Sequence, residues 1–316
     1  MKLKATPRRS SKTKTTITGS RTGKLSSGMK TNIKAWILLA PSLVFLLTFT
    51  VFPIFRSFYL GLTQFELGMR TPVFIGLENY INFANSSLFW KIMGNTLYFS
   101  FLTVVPSMVI GLGLALIVNK KLHGVGFIRT SFFYPVIMPM IAIASIWMFI
   151  YMAESGMLDQ LLIAVGSKPL NALSYRFTVI PAMSFMYVWK EAGYLMIFFL
   201  SGLQNISGEM YEAATIDGAR PFTMFRKITL PLLAPTLLFV STIALTNSVK
   251  LVDHIVIMTE GGPNNASTML LYHIYQQGFA WFDQAKASAL TVVMLVIMLG
   301  ISMLQFVNAD SRIHYN

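Results

Sequence analysis

Several stretches of this chain are too long, too apolar and too poor in charge to belong anywhere but inside a lipid bilayer. The 28 residues from Ile92 to Asn119 contain no charged side chain, and neither do the windows Ala35 to Phe55 and Ala287 to Val307. About 20 such residues cross the hydrocarbon core. Only 12% of the 316 residues are charged, against about 25% in an ordinary soluble domain, and 54% are hydrophobic. The expected fold class is therefore all-α, a polytopic helical membrane protein with about six transmembrane helices. No cysteine is present, which excludes disulfides, thiolate metal sites and thiol chemistry.

The six spans fall at about Ala35–Leu60, Ile92–Asn119, Thr130–Ala153, Thr178–Leu203, Leu230–Ile257 and Ala287–Val307. Pro41 and Pro53 interrupt the first, Pro106 lies in the second, and Pro135 and Pro139 lie in the third. Prolines inside spans predict kinks whose freed carbonyls find partners on neighbouring helices or water. No internal repeat is apparent, and no connection is long enough to fold by itself.

The net charge of +13 is concentrated rather than spread. Ten of the 25 basic residues lie in the first 34 positions, which contain no Asp or Glu. A segment so polar cannot bury enough apolar surface to fold alone. Residues 1–34 are thus expected to be a disordered basic tail that sets topology under the positive-inside rule. A transit peptide shares that composition. A twin-arginine signal does not fit, because the apolar region starts too far from Arg8 and Arg9. With the N-terminus cytoplasmic, seventeen of the 25 basic residues fall on the cytoplasmic side, including Lys120, Lys121, Arg129, Arg220, Arg226, Lys227 and Arg312. Both termini are then inside. The positive charge is a matter of topology, and no nucleic-acid partner is expected.

Between the fourth and fifth spans, residues 205–231 form a polar, mixed-charge segment. Glu209, Glu212 and Asp217 precede Arg220, Arg226 and Lys227, an order that suits the macrodipole of a short helix. Ser207 is placed to start that helix, although Met210 stands where a capping box needs Glu or Gln. Gly218 is placed to end it in a left-handed conformation, about three turns on, and Pro221 reinforces the stop. The spacing is Glu212-Ala213-Ala214, three residues, Gly218, nine residues, then Ile228, Thr229, Leu230 and Pro231.

This pattern resembles the EAA loop of permease subunits in binding-protein-dependent ABC importers. The likeness extends over Asn95 to Lys120, Phe127 to Trp147, Gly156 to Asp159, Thr259 to Thr268 and Tyr272 to Phe279, in the manner of the maltose and glycerol-phosphate permeases. Two departures stand out: Gly278 replaces an expected Ala, and Gln284 to Lys286 lie near an expected Gly. The resemblance implies the type I importer permease fold over residues 35–316. It implies that Glu212, Ala213, Ala214, Asp217, Gly218 and Arg220 couple to an ATPase. The implied partners are an ATPase dimer that uses ATP and Mg, a second homologous permease chain, an external solute-binding protein, membrane lipid and a carbohydrate substrate. The binding protein would engage near Gly261, Gly262 and Pro263.

Intramembrane polar residues are costly and mark function by default. Lys190 and Glu191 are adjacent on a helix, so they point about 100° apart and cannot pair with each other. Trp189 and Tyr194 nearby offer flat faces with a polar edge. Path-lining and an interhelical clamp both fit this group. Asn247, Lys250 and Asp253 or His254 recur on one helical stripe, with Lys250 and Asp253 able to pair. Path-lining is the first reading there and a structural ion pair the second. Thr96, Ser100, Thr103, Ser107, Gly111 and Ala115 form a stripe of small residues suited to helix packing.

Catalytic parts are missing from the sequence. The four histidines are scattered, and no HExxH, GxSxG or Walker A loop occurs. The chain is expected to bind no metal or cofactor and to rely on a partner for ATP hydrolysis. An ion-coupled secondary transporter is the rival reading, with Lys190, Glu191 and Asp253 as coupling groups; it has no use for the loop at 205–231.

Overall fold

Apolar length and proline placement set the path of the chain in the computed structural model, which describes residues 23–120 and 124–310. The chain divides into two units, residues 1–55 and 56–316. The first carries helix α1 (Gly23–Leu46), a π-helical segment (Leu47–Val51) and the start of α2 (Phe52–Gly61). Residues 23–34 are therefore helical where the sequence predicts a disordered tail. They continue an apolar helix, and adding turns to an existing helix avoids the cost of a new nucleus. The rest of that tail, residues 1–22, lies outside the described residues, as do Lys121, His123, Arg312 and His314.

The second unit opens, after α2, with a short antiparallel pair, β1 (Thr63–Gln64) and β2 (Val73–Phe74), in which Thr63 faces Phe74. Asn79, at the start of α3 (Glu78–Ala84), ties this hairpin down by donating to the carbonyls of Gly61 and Thr63. Helix α4 (Ser87–Val118) follows, capped by Ser86, whose hydroxyl accepts from Phe89 N. Next come α5 (Val125–Ile137), α6 (Met140–Ile150), α7 (Met157–Ala164) and α8 (Val179–Gln204). The chain then runs through α9 (Gly208–Ile216), α10 (Pro221–Met224), a π-helical segment (Phe225–Thr229), α11 (Leu230–Leu232) and α12 (Ala234–Val249). It closes with α13 (Asp253–Met258), α14 (Leu270–Tyr275), the π-helical Gln276–Ala280 and α15 (Gln284–Asp310).

Among the described residues, four helical segments are long and apolar enough to cross a membrane: Ala35–Gly61, Ser87–Val118, Ala234–Met258 and Gln284–Gln305. The pair α5 and α6 makes a fifth if it is one broken span, bent by 96°. Helix α8 has 26 residues but not the apolarity of the others, with Lys190 and Glu191 at its middle. The expected third span is therefore not a straight rod. Met138 is extended at ψ 136 ahead of Pro139, the conformation that a following proline favours.

Helix α8 is the hub. Its first half packs Met183, Met186 and Tyr187 with Phe99, Ile143 and Ile255. Its second half packs Leu195, Met196 and Phe199 with Ala115, Val118, Leu233 and Val240. The small-residue stripe of α4, Thr96 to Ala115, is buried as expected for packing. Where α8 meets α5, Gly193 lies so close to the Phe132 carbonyl oxygen that a Cβ would overlap it. Without a hydrophobic force between helices in lipid, such close backbone approach supplies the dispersion that holds them together.

Candidate functional site

At one end of the bundle α9 stands out from the membrane helices. Ser207 occupies the N-cap position at φ −62 and ψ 137 but makes no side-chain cap bond. The helix ends at Ile216, two and a half turns on, half a turn short of the sequence expectation. Gly218 has φ +73. The Gly218 N–H reaches the Thr215 carbonyl at 3.0 Å, and the Ala219 N–H reaches the Ala214 carbonyl at 2.9 Å. Those two bonds form a Schellman ending, which needs a left-handed residue at this position. The chain then reverses, and Pro221 begins the next helical turn with Arg220 at its N-cap.

One side of α9 is anchored. Ala214 is buried, and the Tyr211 hydroxyl shares a hydrogen bond with the buried Thr229 Oγ1 at 3.1 Å. The other side is open: Glu209, Glu212, Ala213, Asp217 and Arg220 are all exposed. Among the described residues no ion pair involves them, since the ion pairs found are those of Lys286 with Glu66 and Asp283. Ile216 and Phe222 are 86% and 73% exposed beside these charges. Large apolar side chains rimmed by polar ones mark a surface that another protein covers. Sequence reasoning missed this pair; the available signal was two bulky apolar residues inside an otherwise polar loop.

Inside the bundle, Lys190 and Glu191 each find a separate partner. The Lys190 ammonium donates to the carbonyls of Pro135, Val136 and Met138 at 2.9, 3.0 and 2.8 Å. Those carbonyls belong to the break between α5 and α6, so the side chain clamps the kink. Glu191 is buried and accepts from Asn247 Nδ2 at 3.1 Å, joining α8 to α12. Trp189 is about half exposed and leans on Trp147, ring centroids 5.8 Å apart. Tyr194 packs edge-on against Phe198.

The stripe expected along the fifth span is broken. Helix α12 stops at Val249, Lys250 is its exposed C-cap, and α13 starts only at Asp253. Leu251 and Val252 are not helical, so Asn247, Lys250 and Asp253 do not share one helix face. Lys250 and Asp253 form no ion pair. His254 is buried and stacks on Phe99 at 5.1 Å. His273 packs edge-on against Trp281, and burial holds its pKa below the ordinary value. Among the described residues no three His, Cys, Asp or Glu side chains gather as a metal site.

At the opposite end, Asp159 is buried and accepts from the backbone N–H groups of Glu154, Leu170 and Asn171. It pins the connection between α6 and α8. The loop Thr259–Thr268 is fastened to α4: Lys91 donates to the Asn264 carbonyl at 2.6 Å, and Asn95 Nδ2 donates to Asn265 and Thr268, each at 3.0 Å.

Residues 95–312 match the family described as binding-protein-dependent transport system inner membrane component. The probable ABC transporter permease protein YurN of Bacillus subtilis is 34% identical over 274 residues, 85% of this chain and 94% of that protein. The trehalose/maltose transport system permease protein MalF of Thermococcus litoralis is 31% identical over 268 residues, 84% and 90% of the two chains. A crystal structure of a bacterial ABC transporter involved in import of the acidic polysaccharide alginate superposes with a TM-score of 0.80 at 22% identity. That match covers 91% of this chain and 99% of the other, and supports the fold. The chain is thus a multi-pass inner-membrane protein with the ABC importer permease fold, and not an enzyme; it belongs to the family of binding-protein-dependent ABC importer permeases.

Proposed function

We propose that this chain is one half of the translocation path of an ATP-driven carbohydrate importer, moving an oligosaccharide handed over by an external binding protein. The observation that carries the coupling half of this reading is the open face of α9. Unpaired Glu212, the Gly218 turn and the stranded Ile216 and Phe222 form a short projecting helix of the kind that enters a groove on a partner. Glu212, Ala213, Asp217, Gly218 and Arg220 meet the ATPase, which binds ATP and Mg, while the buried Ala214 seats the helix from its inner side and is not itself a contact. Closure of the ATPase dimer pushes on α9, and Tyr211 and Thr229 pass the push into the membrane helices as a rigid-body movement. A second, homologous permease chain completes the path.

The carbohydrate assignment leans on the trehalose/maltose relative. In this reading α9 and both termini are cytoplasmic, and the binding protein docks near Gly261, Gly262 and Pro263. Lys190, Glu191 and Asn247 brace the bundle, while Trp189, Tyr194, Lys250 and Asp253 keep accessible surface for a passing solute. The ion-coupled alternative loses its support, because two of its three proposed carriers, Lys190 and Glu191, are occupied in bracing and the family works through a binding protein.

The test is mass spectrometry of what co-purifies with the chain from native membranes in mild detergent. An ATPase and a second permease at near-stoichiometric yield are expected. A chain that is stable alone, with no nucleotide-binding protein, would overturn the assignment.

A further inference from the structure

The end of the bundle far from α9 holds a cavity of about 570 Å³. It lies between the start of α4, the segment before α8 and the loop Thr259–Thr268. The 26 residues of α8 separate it from α9 by about 39 Å. Two cations, Lys91 and Arg176, line it, and no carboxylate does. Neither cation belongs to any ion pair among the described residues. The Arg176 guanidinium carbon lies 4.6 Å from the centroid of the Phe177 ring, which positions the charge while leaving its donors unspent. One of the three Lys91 donors goes to Asn264, and the exposed side chain makes no other hydrogen bond among the described residues.

The location permits access from water. Helix α4 has 32 residues, about 48 Å, well beyond the roughly 30 Å of hydrocarbon it crosses. Lys91 is the fifth residue of that helix and so stands at the water boundary. Two uncompensated cations facing one volume repel each other, and an anion between them removes that repulsion. A carboxylate or phosphate would gain charge-assisted hydrogen bonds, with the guanidinium fork matched to two oxygens. Tyr98 and Phe177 add ring faces for the apolar side of a sugar, and Asn95 adds an amide. The volume falls within the range of small-molecule sites.

We propose that this cavity is an entry subsite for an anionic saccharide, a sugar bearing a carboxylate or phosphate that Arg176 and Lys91 hold against Tyr98 and Phe177. The proposal deepens the importer reading and rests on it. The experiment is equilibrium binding to the assembled transporter in phosphatidylcholine nanodiscs, without nucleotide. The probes are digalacturonate, glucose 1-phosphate and neutral lactose. At least one anionic probe is expected to bind about tenfold or more tightly than lactose, and which one identifies the group. Arg176→Gln is expected to weaken that probe about tenfold, the loss of one or two charged hydrogen bonds, with lactose unchanged. Arg176 makes no hydrogen bond among the described residues, so the variant should melt as the parent does. Should it not, salt gives a second readout on the unmodified protein: raised ionic strength should weaken the anionic probe alone. Equal affinity for all three probes, or anionic binding indifferent to salt, would overturn the proposal. The ATPase content of the same preparation reports on the importer reading separately.

Discussion

Lys190→Met keeps the length and flexibility of the side chain and removes three hydrogen bonds at once. The ammonium's three donors meet the carbonyls of Pro135, Val136 and Met138 at 2.8–3.0 Å. These acceptors exist because the helix breaks by 96° between α5 and α6. Leaving a buried acceptor unpaired costs about 1–3 kcal/mol. Lys190 is only half-buried, so water offsets part of the loss, and the low end applies, about 3 kcal/mol in total. At roughly 2–4 °C per kcal/mol for a domain of this size, the melting midpoint should fall by about 6–12 °C. Lys190→Arg should recover part of this, because a planar fork cannot converge on three carbonyls as an ammonium does. The assay is thermal unfolding of the purified complex followed by size-exclusion fluorescence, alongside transport in proteoliposomes. A midpoint within about 1 °C of the parent, with a raised KM for solute, would refute the clamp and return Lys190 to the path.

Gly218→Val places a β-branched residue at φ +73, where left-handed backbone costs an ordinary residue about 1–2 kcal/mol. The Schellman turn should open, and solute-stimulated ATP hydrolysis should be lost while the chain still inserts; normal stimulation would contradict the role of the turn. Asp159→Ala leaves three backbone N–H groups without their acceptor, about 3 kcal/mol of local stability at the low end. Trypsin should then cut faster after the exposed Arg176, Lys168 being shielded by the Pro169 that follows it, and a cleavage time course reads this directly. Lys250→Ala removes an exposed charge with no side-chain partner among the described residues, so the melting midpoint should stay put while solute affinity or preference changes. Unchanged transport kinetics across neutral and acidic sugars would make Lys250 a bystander.

Much of the architecture was legible because it depends on local chemistry. Uncharged runs located the helices, and the pairing of Gly218 with Pro221 located the end of α9. The neighbouring positions of Lys190 and Glu191 already required two separate partners. What they bind was not legible, because the acceptors of Lys190 are backbone carbonyls 52–55 residues away that are freed only by a tertiary bend. Pro135 and Pro139 announced a kink but not its size, 96°, nor the close seat of Gly193 against Phe132 beside it. The interruption at Leu251 and Val252 carries no proline or glycine, so periodicity ran straight through it and assembled a stripe that the fold does not contain. Arg176 and Lys91 are 85 positions apart in the chain, and only the folded loop brings them to one cavity.

Coupling requires α9 to be the surface that meets the ATPase, and the absence of cysteine makes that directly measurable. Ala213→Cys puts a single thiol on the exposed side of α9 without touching the packed Ala214. In the assembled transporter, a short bismaleimide should link this thiol to a cysteine-bearing ATPase subunit in high yield. Asn264→Cys at the opposite end should give no such product. Efficient linkage from Ala213→Cys alone is the predicted result. Equal yields from both positions, or none from Ala213→Cys in a complex that contains the ATPase, would contradict the account.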